Sequence, residues 1–197
     1  MPKNQGMRVS ERAQILLEVI MILWTIQHKE VYEKLLENGV VRGTPMYIAL
    51  EDFKEAYEWM AVQMRKRIGN PPKDAIYPIW AWYQWEGKRK RPDMRVHGRG
   101  WSEKGTPIVL LTLDVPDRCV LLSDFDYWHV VLNNGEIIFP YNEFKYYSKE
   151  EREKSRENIF DISCSFDGEE HHFLSTQATM WEIKAEWVVK VEHFISR

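Results

Sequence analysis

The chain has 197 residues, a formal net charge of −3, 44% hydrophobic residues and 29% charged residues, enough for one sizeable core and short for two. The slight acidic balance argues against a dedicated nucleic-acid protein, which carries a basic excess. The longest apolar run, residues 19–26, is far shorter than the ~20 residues a membrane-spanning helix needs. Lys3, Arg8 and Arg12 precede that run, but no small-residue cleavage site follows it. The two cysteines, Cys119 and Cys164, lack metal or redox spacing, which fits a reduced, cytoplasmic setting. Aromatics reach 13%, with nine tryptophans. Such an excess fits a lined cavity or an aromatic-rich core.

In chain order, Ser10 caps a short helix over "ERAQILLEV", and "IMILWTIQ" is the first strong strand. "KEVYEKLLENG" places Val31, Leu35 and Leu36 at helical spacing and stops at Asn38-Gly39. "VVRGTPMYI" is a short strand broken by a Gly-Thr-Pro turn. Residues 51–68 form the strongest helix: acids open it, a stripe from Phe53 to Met64 faces a core, and Arg65, Lys66 and Arg67 close it against the dipole. Strands follow at "AIYPIWAWYQW", "TPIVLLTLDVP" and "RCVLLS". Asp124 caps a helix over "DFDYWHVVLNNG", and Ser148 caps a charged one over "YSKEEREKSRENIFD". From Ser165 the chain reads as a turn and a polar connection leading to a terminal strand, "AEWVVKVEHF". The sum is one α+β domain, residues 21–197, with a mixed or antiparallel sheet core and flanking helices. Residues 1–20 are expected to be an added leader helix, with Met21 the natural start.

Four features carry candidate chemistry. On a strand, Trp80 and Trp82 share one face; they either stack on a flat ring or pack beneath the 51–68 helix. Lys88 to Arg91 follow Gly87 and read as a solvated hairpin tip, while Arg91 and Arg95 flank a Pro92-Asp93 turn from which a guanidinium suits phosphate. Asp124, Asp126 and His129 raise a metal reading, and with it a metal-dependent nuclease, but a helix cap explains Asp124 more simply and no metal is predicted. Glu169, Glu170, His171 and His172 lie in a polar loop where solvation suffices. There is no nucleophile elbow, phosphate loop or Gly-x-Gly-x-x-Gly run.

The stretches "MILWTIQ", "LLTLDVPDRCVLLSDFDYWHVVLNNG" and "QATMWEI" resemble an uncharacterised bacterial family of unknown function, from Met21 to the C-terminus. The order of "LWTIQ", "EVYEKLLENG", "RGTPMYI", "FKEAYEWMAVQM" and "QATMWEI" is similar to that of small ADP-ribosyltransferase-like domains. That resemblance implies NAD as cofactor, Tyr47 as the aromatic that stacks on nicotinamide, and Glu182 as the carboxylate that stabilises an oxocarbenium-like centre. Where such domains carry His or Arg on the first strand, this chain has Thr25, with Gln27 two residues on. Neither supplies positive charge to a pyrophosphate, so Arg42, Arg91 or Arg95 is the expected source. The expectation is therefore an ADP-ribosyltransferase-like enzyme whose pocket is lined by Trp24, Thr25, Gln27, Tyr47, Trp80, Trp82 and Glu182, with Arg91 and Arg95 on phosphates. The alternative is a non-catalytic module that binds a nucleotide or a partner through the same aromatics.

Overall fold

The first strong strand also organises the fold. In β1 (Ile20–His28) apolar residues are buried on both faces, Leu23 at 0% exposure on one and Ile26 at 6% on the other, as expected of a strand covered on both sides. The computed structural model describes residues 19–44, 53–99, 101–138, 145–162 and 175–197. β1 is followed by α1 (Lys29–Asn38), which ends as expected: Gly39 takes a left-handed conformation (φ 73°) and its N–H closes on the Leu35 carbonyl. Then come β2 (Val40–Arg42), α2 (Lys54–Ile68), β3 (Ile79–Gln84), α3 (Met94–His97), β4 (Pro107–Pro116), β5 (Leu121–Asp124), α4 (Phe125–Leu132), α5 (Lys149–Ser155), β6 (Thr176–Met180), β7 (Glu182–Lys184) and β8 (Val188–Ile195).

Six strands form one antiparallel sheet in the order β5-β6-β3-β1-β4-β8, and β2 with β7 forms a small second sheet. The architecture is thus a single α+β domain with an antiparallel core and, among the described residues, five α-helices. One sheet face, with Leu23, Ala81, Leu111, Leu113, Ala178 and Met180, is covered by Leu35 of α1, Ile183 of β7 and Trp187. The other face is covered in two separate parts. Ala56, Met60 and Met64 of α2 join Trp128 and Val131 of α4 over Leu121 and Trp80. Met94 of α3 packs instead on Ile26, Ile108 and Leu110.

Most caps follow the sequence. The Asp124 carboxylate accepts the Tyr127 N–H at 2.8 Å and starts α4, and Ser148 with Glu151 forms a full capping box on α5. Three expectations need correction. Residues 176–184, read as a polar connection, are strands β6 and β7, and β6 lies between β5 and β3. Its Thr and Gln residues have loop-like composition, yet Thr176, Ala178, Thr179 and Met180 are all buried, and the Thr179 hydroxyl is satisfied by the Leu121 carbonyl at 3.3 Å. The terminal strand begins at Val188, because Ala185–Trp187 is a 3-10 turn. The Pro92-Asp93 turn opens α3, with Asp93 accepting the Arg95 N–H at 3.0 Å. Ser10, the leader and the cluster from Glu169 to His172 lie outside the described residues.

β2 is tied to the main sheet by Gly43. Its carbonyl accepts the amides of Ile76 (2.9 Å) and Tyr77 (3.2 Å), and its own N–H reaches the Trp181 carbonyl at 3.4 Å. An added Cβ would stand 2.0 Å from the Tyr77 carbonyl oxygen, so only glycine fits this approach. Gly43→Ala is expected to destabilise the protein by about 3 kcal/mol, the upper range for overpacking, read as a lower urea midpoint. An unchanged midpoint would contradict the close approach.

Candidate functional site in the sheet fork

β1 and β4 pair along nine positions, whereas β1 and β3 share a single register pair, Trp24 with Trp82. Beyond that pair the two strands diverge. A diverging ladder leaves backbone groups without partners, and such groups must be satisfied elsewhere. Here side chains substitute. The Thr25 hydroxyl, 1% exposed at the residue level, donates to the Trp80 carbonyl at 2.8 Å, and the Gln27 amide donates to the Thr25 oxygen at 2.7 Å. On the other side of the pair, the Arg89 guanidinium donates to the Ile22 carbonyl at 3.0 Å. Arg89 also lies 3.6 Å over the Tyr83 ring and 5.5 Å from that of Trp24. The hairpin tip is therefore Glu86-Gly87, closed by reciprocal Trp85–Lys88 hydrogen bonds, and "KRKR" follows it rather than forming it.

The fork opens into a cleft of about 640 Å³, within the range of small-molecule sites. Trp24, Thr25, Gln27, Trp80 and Trp82 all line it, so five of the expected pocket residues meet in one hollow. Its walls are aromatic. Trp80 packs against Trp128 (4.7 Å between ring centroids) and Tyr57 (6.0 Å), Trp82 against Phe125 (4.8 Å), and His28 against Trp101 (5.1 Å). The choice between a stacking surface and a packed core thus resolves residue by residue. Trp80 does both, since it contacts the helices and still faces the cleft. Burial raises the Tyr57 hydroxyl pKa above its ordinary value, with the Trp80 indole opposing this, so Tyr57 is neutral throughout the physiological range.

Tyr47 lies outside the described residues. Glu182 is on β7 directly across from Arg42, whose Nε lies 3.1 Å from its carboxylate. Arg42 lines the cleft, and Glu182 is not among the lining residues. Arg91 and Arg95 border a second, more open groove of about 1020 Å³, together with Lys90, Glu86, Asp93, His193 and Arg197. Arg91 lies 3.7 Å from Glu192, and Arg95 is clamped on Asp93 at 2.6 Å. That guanidinium holds the Asp93 carboxyl well below the usual carboxylate range. The two hollows adjoin at His97, which lines both. Burial lowers the His97 pKa, against the pull of Glu86 and Asp93, so the ring is neutral at pH 7 where the two hollows meet.

The cleft also holds residues that sequence reasoning did not single out. His97, Trp101, Trp128 and Gln177 all line it. Among the described residues, six buried side-chain polar atoms lack a hydrogen-bond partner, and Thr44 Oγ1, Trp80 Nε1 and Gln177 Oε1 belong to cleft residues. Trp80 Nε1 lies toward the Tyr57 hydroxyl without making a well-formed hydrogen bond to it. Leaving such a group unsatisfied costs about 1–3 kcal/mol, so each one calls for a partner, a water or an ion included. Asp124 is 3% exposed and its carboxylate accepts the Tyr127 N–H of the helix cap. Among the described residues no three His, Cys, Asp or Glu side chains converge on a common point.

Fold and site together define an α+β domain whose antiparallel sheet forks around an aromatic-lined cleft. The chain belongs to the family described as Domain of unknown function (DUF3841), which matches residues 22–154, from within β1 to the last turn of α5. No curated protein and no solved structure matches the chain.

The Thr25 hydroxyl holds the fork at its root. Thr25→Val keeps the shape but strips the Trp80 carbonyl of its partner, so a loss of about 1–3 kcal/mol is expected, while Thr25→Ser retains stability closer to wild type. Equal urea midpoints for the valine variant and wild type would show that the hydroxyl does not bear on the seam.

Proposed function

We propose that the chain binds a nucleotide, NAD in the first instance, with a planar ring in the aromatic cleft and its phosphates in the adjoining basic groove. The observation that carries this reading is the shared position of His97, which joins a ring-sized aromatic hollow to a groove with four basic and two acidic side chains. Stacking on Trp80 or Trp82 supplies about 1–3 kcal/mol per ring. Phosphate is suited to Lys90, Arg91, Arg95 and Arg197, because guanidinium groups engage it in pairs of hydrogen bonds. The Arg91–Glu192 pair, long and partly exposed, costs little to open.

The enzymatic form of this reading is ADP-ribosyl transfer, with Glu182 stabilising the developing charge and Thr25 or Gln27 contacting the ribose or an amide. One observation favours binding without turnover. The Glu182 carboxylate is engaged by Arg42 and lies behind it relative to the cleft, so a transferase would have to exchange that ion pair for substrate. Incubation with NAD separates the two forms. Saturable quenching of tryptophan fluorescence without nicotinamide release is the expected result. Release that disappears in Glu182→Gln would establish the transferase, and neither quenching nor release would remove the nucleotide reading.

NAD affinity is also expected to change with pH through His97. The imidazole titrates below its ordinary value of 6.5, and a bound pyrophosphate favours the protonated ring. Affinity for NAD therefore rises as the pH falls toward the lowered pKa of the free His97 ring and levels off below it, and His97→Gln flattens that profile. A wild-type profile as flat as the variant's would place the phosphates away from His97.

A further inference from the structure

We infer that Gln177 and Trp80 form a hydrogen-bonding pair that selects the ligand ring by its edge, favouring a flat heterocycle that carries an N–H donor beside an acceptor. The inference rests on the nucleotide reading of the cleft and narrows it to one chemical class. Antiparallel register sets Trp82 opposite Gln177 and Trp80 opposite Thr179. Trp80 and Gln177 are thus diagonal neighbours on one sheet face, a spacing within reach of aromatic and long side chains. Both residues line the cleft, and each has a buried polar atom without a partner: the Trp80 indole N–H, a donor, and the Gln177 side-chain oxygen, an acceptor.

Neighbouring groups do not satisfy them. Ser123 stands opposite Gln177 on β5, and its hydroxyl is likewise buried without a partner. The Tyr57 hydroxyl does not close a hydrogen bond with Trp80. A ring laid against Trp82, with its amino or amide edge toward β6, would give its N–H to Gln177 and take the indole N–H on the adjacent acceptor. That edge occurs on a primary carboxamide and on the amino-pyrimidine side of adenine. NAD contains both, so the experiment has one arm for each source.

Binding is measured by tryptophan quenching with four probes: nicotinamide mononucleotide, its nicotinic acid counterpart, AMP, and purine riboside 5′-monophosphate. The nicotinic acid probe replaces the donor with a carboxylate, and the purine probe lacks the amino group. The expected result is that wild type prefers the donor-bearing member of at least one pair by about tenfold or more. Gln177→Leu reduces that preference to near one, and Gln177→Glu, which keeps an acceptor, retains it. Equal binding within both pairs in wild type, a preference for nicotinic acid, or a preference that survives Gln177→Leu would each overturn the pair while leaving nucleotide binding intact. Absence of binding by all four probes would overturn both.

Discussion

The hydrogen bond from the Thr25 hydroxyl to the Trp80 carbonyl is the constraint on which the site depends. Two central strands of an antiparallel sheet ordinarily satisfy each other along their length. β1 and β3 meet at one register pair and then part, and a side-chain hydroxyl takes over where the ladder stops. This gives the sheet a gap without leaving the Trp80 carbonyl unpaired. The cost of a buried unpaired carbonyl explains why a small hydroxyl residue, rather than valine or leucine, stands at this point between Trp24 and Ile26.

The consequences spread outward from the fork. The helices that cover this face of the sheet are split into two groups, α2 with α4 on one side and α3 on the other. Between them the indoles of Trp24, Trp80 and Trp82 remain partly uncovered, because no helix among the described residues spans the gap. Gly43 clamps β2 to the segment before β3 and so fixes the rim that carries Arg42. The basic groove adjoins the cleft at His97. An aromatic cleft and a charged groove that meet at one imidazole are thus products of how two strands separate.

Much of the fold was legible in the sequence because its signals are local. β-Branched runs marked β1 and β4, Gly39 marked the end of α1, and Asp124 and Ser148 marked helix starts through the donors they satisfy. β6 was hidden because the burial of its Thr residues depends on tertiary neighbours that no local pattern reveals. The site divided along the same line. Alternation puts Trp24, Trp80 and Trp82 on one sheet face and Thr25 with Gln27 on the other, and the fork between β1 and β3 is what brings the two sets to one cleft. Gln177 could have been found only after β6 was recognised as the partner of β3. Glu182 and Arg42 are 140 residues apart in sequence, and their pairing depends on a second sheet that composition does not announce. Arg91 and Arg95, expected on phosphates, border the second groove, where their neighbours Glu192 and Asp93 set where they point.

The most direct test of the account is to follow the nine tryptophan indole N–H signals by NMR during a titration with NAD. Large, saturable shifts at Trp80 and Trp82, with Trp59 and Trp187 unmoved, are expected from a ligand seated in the fork. Shifts confined to Trp59 or Trp187, which lie outside the cleft lining, would contradict it, as would nine unchanged signals at saturating ligand.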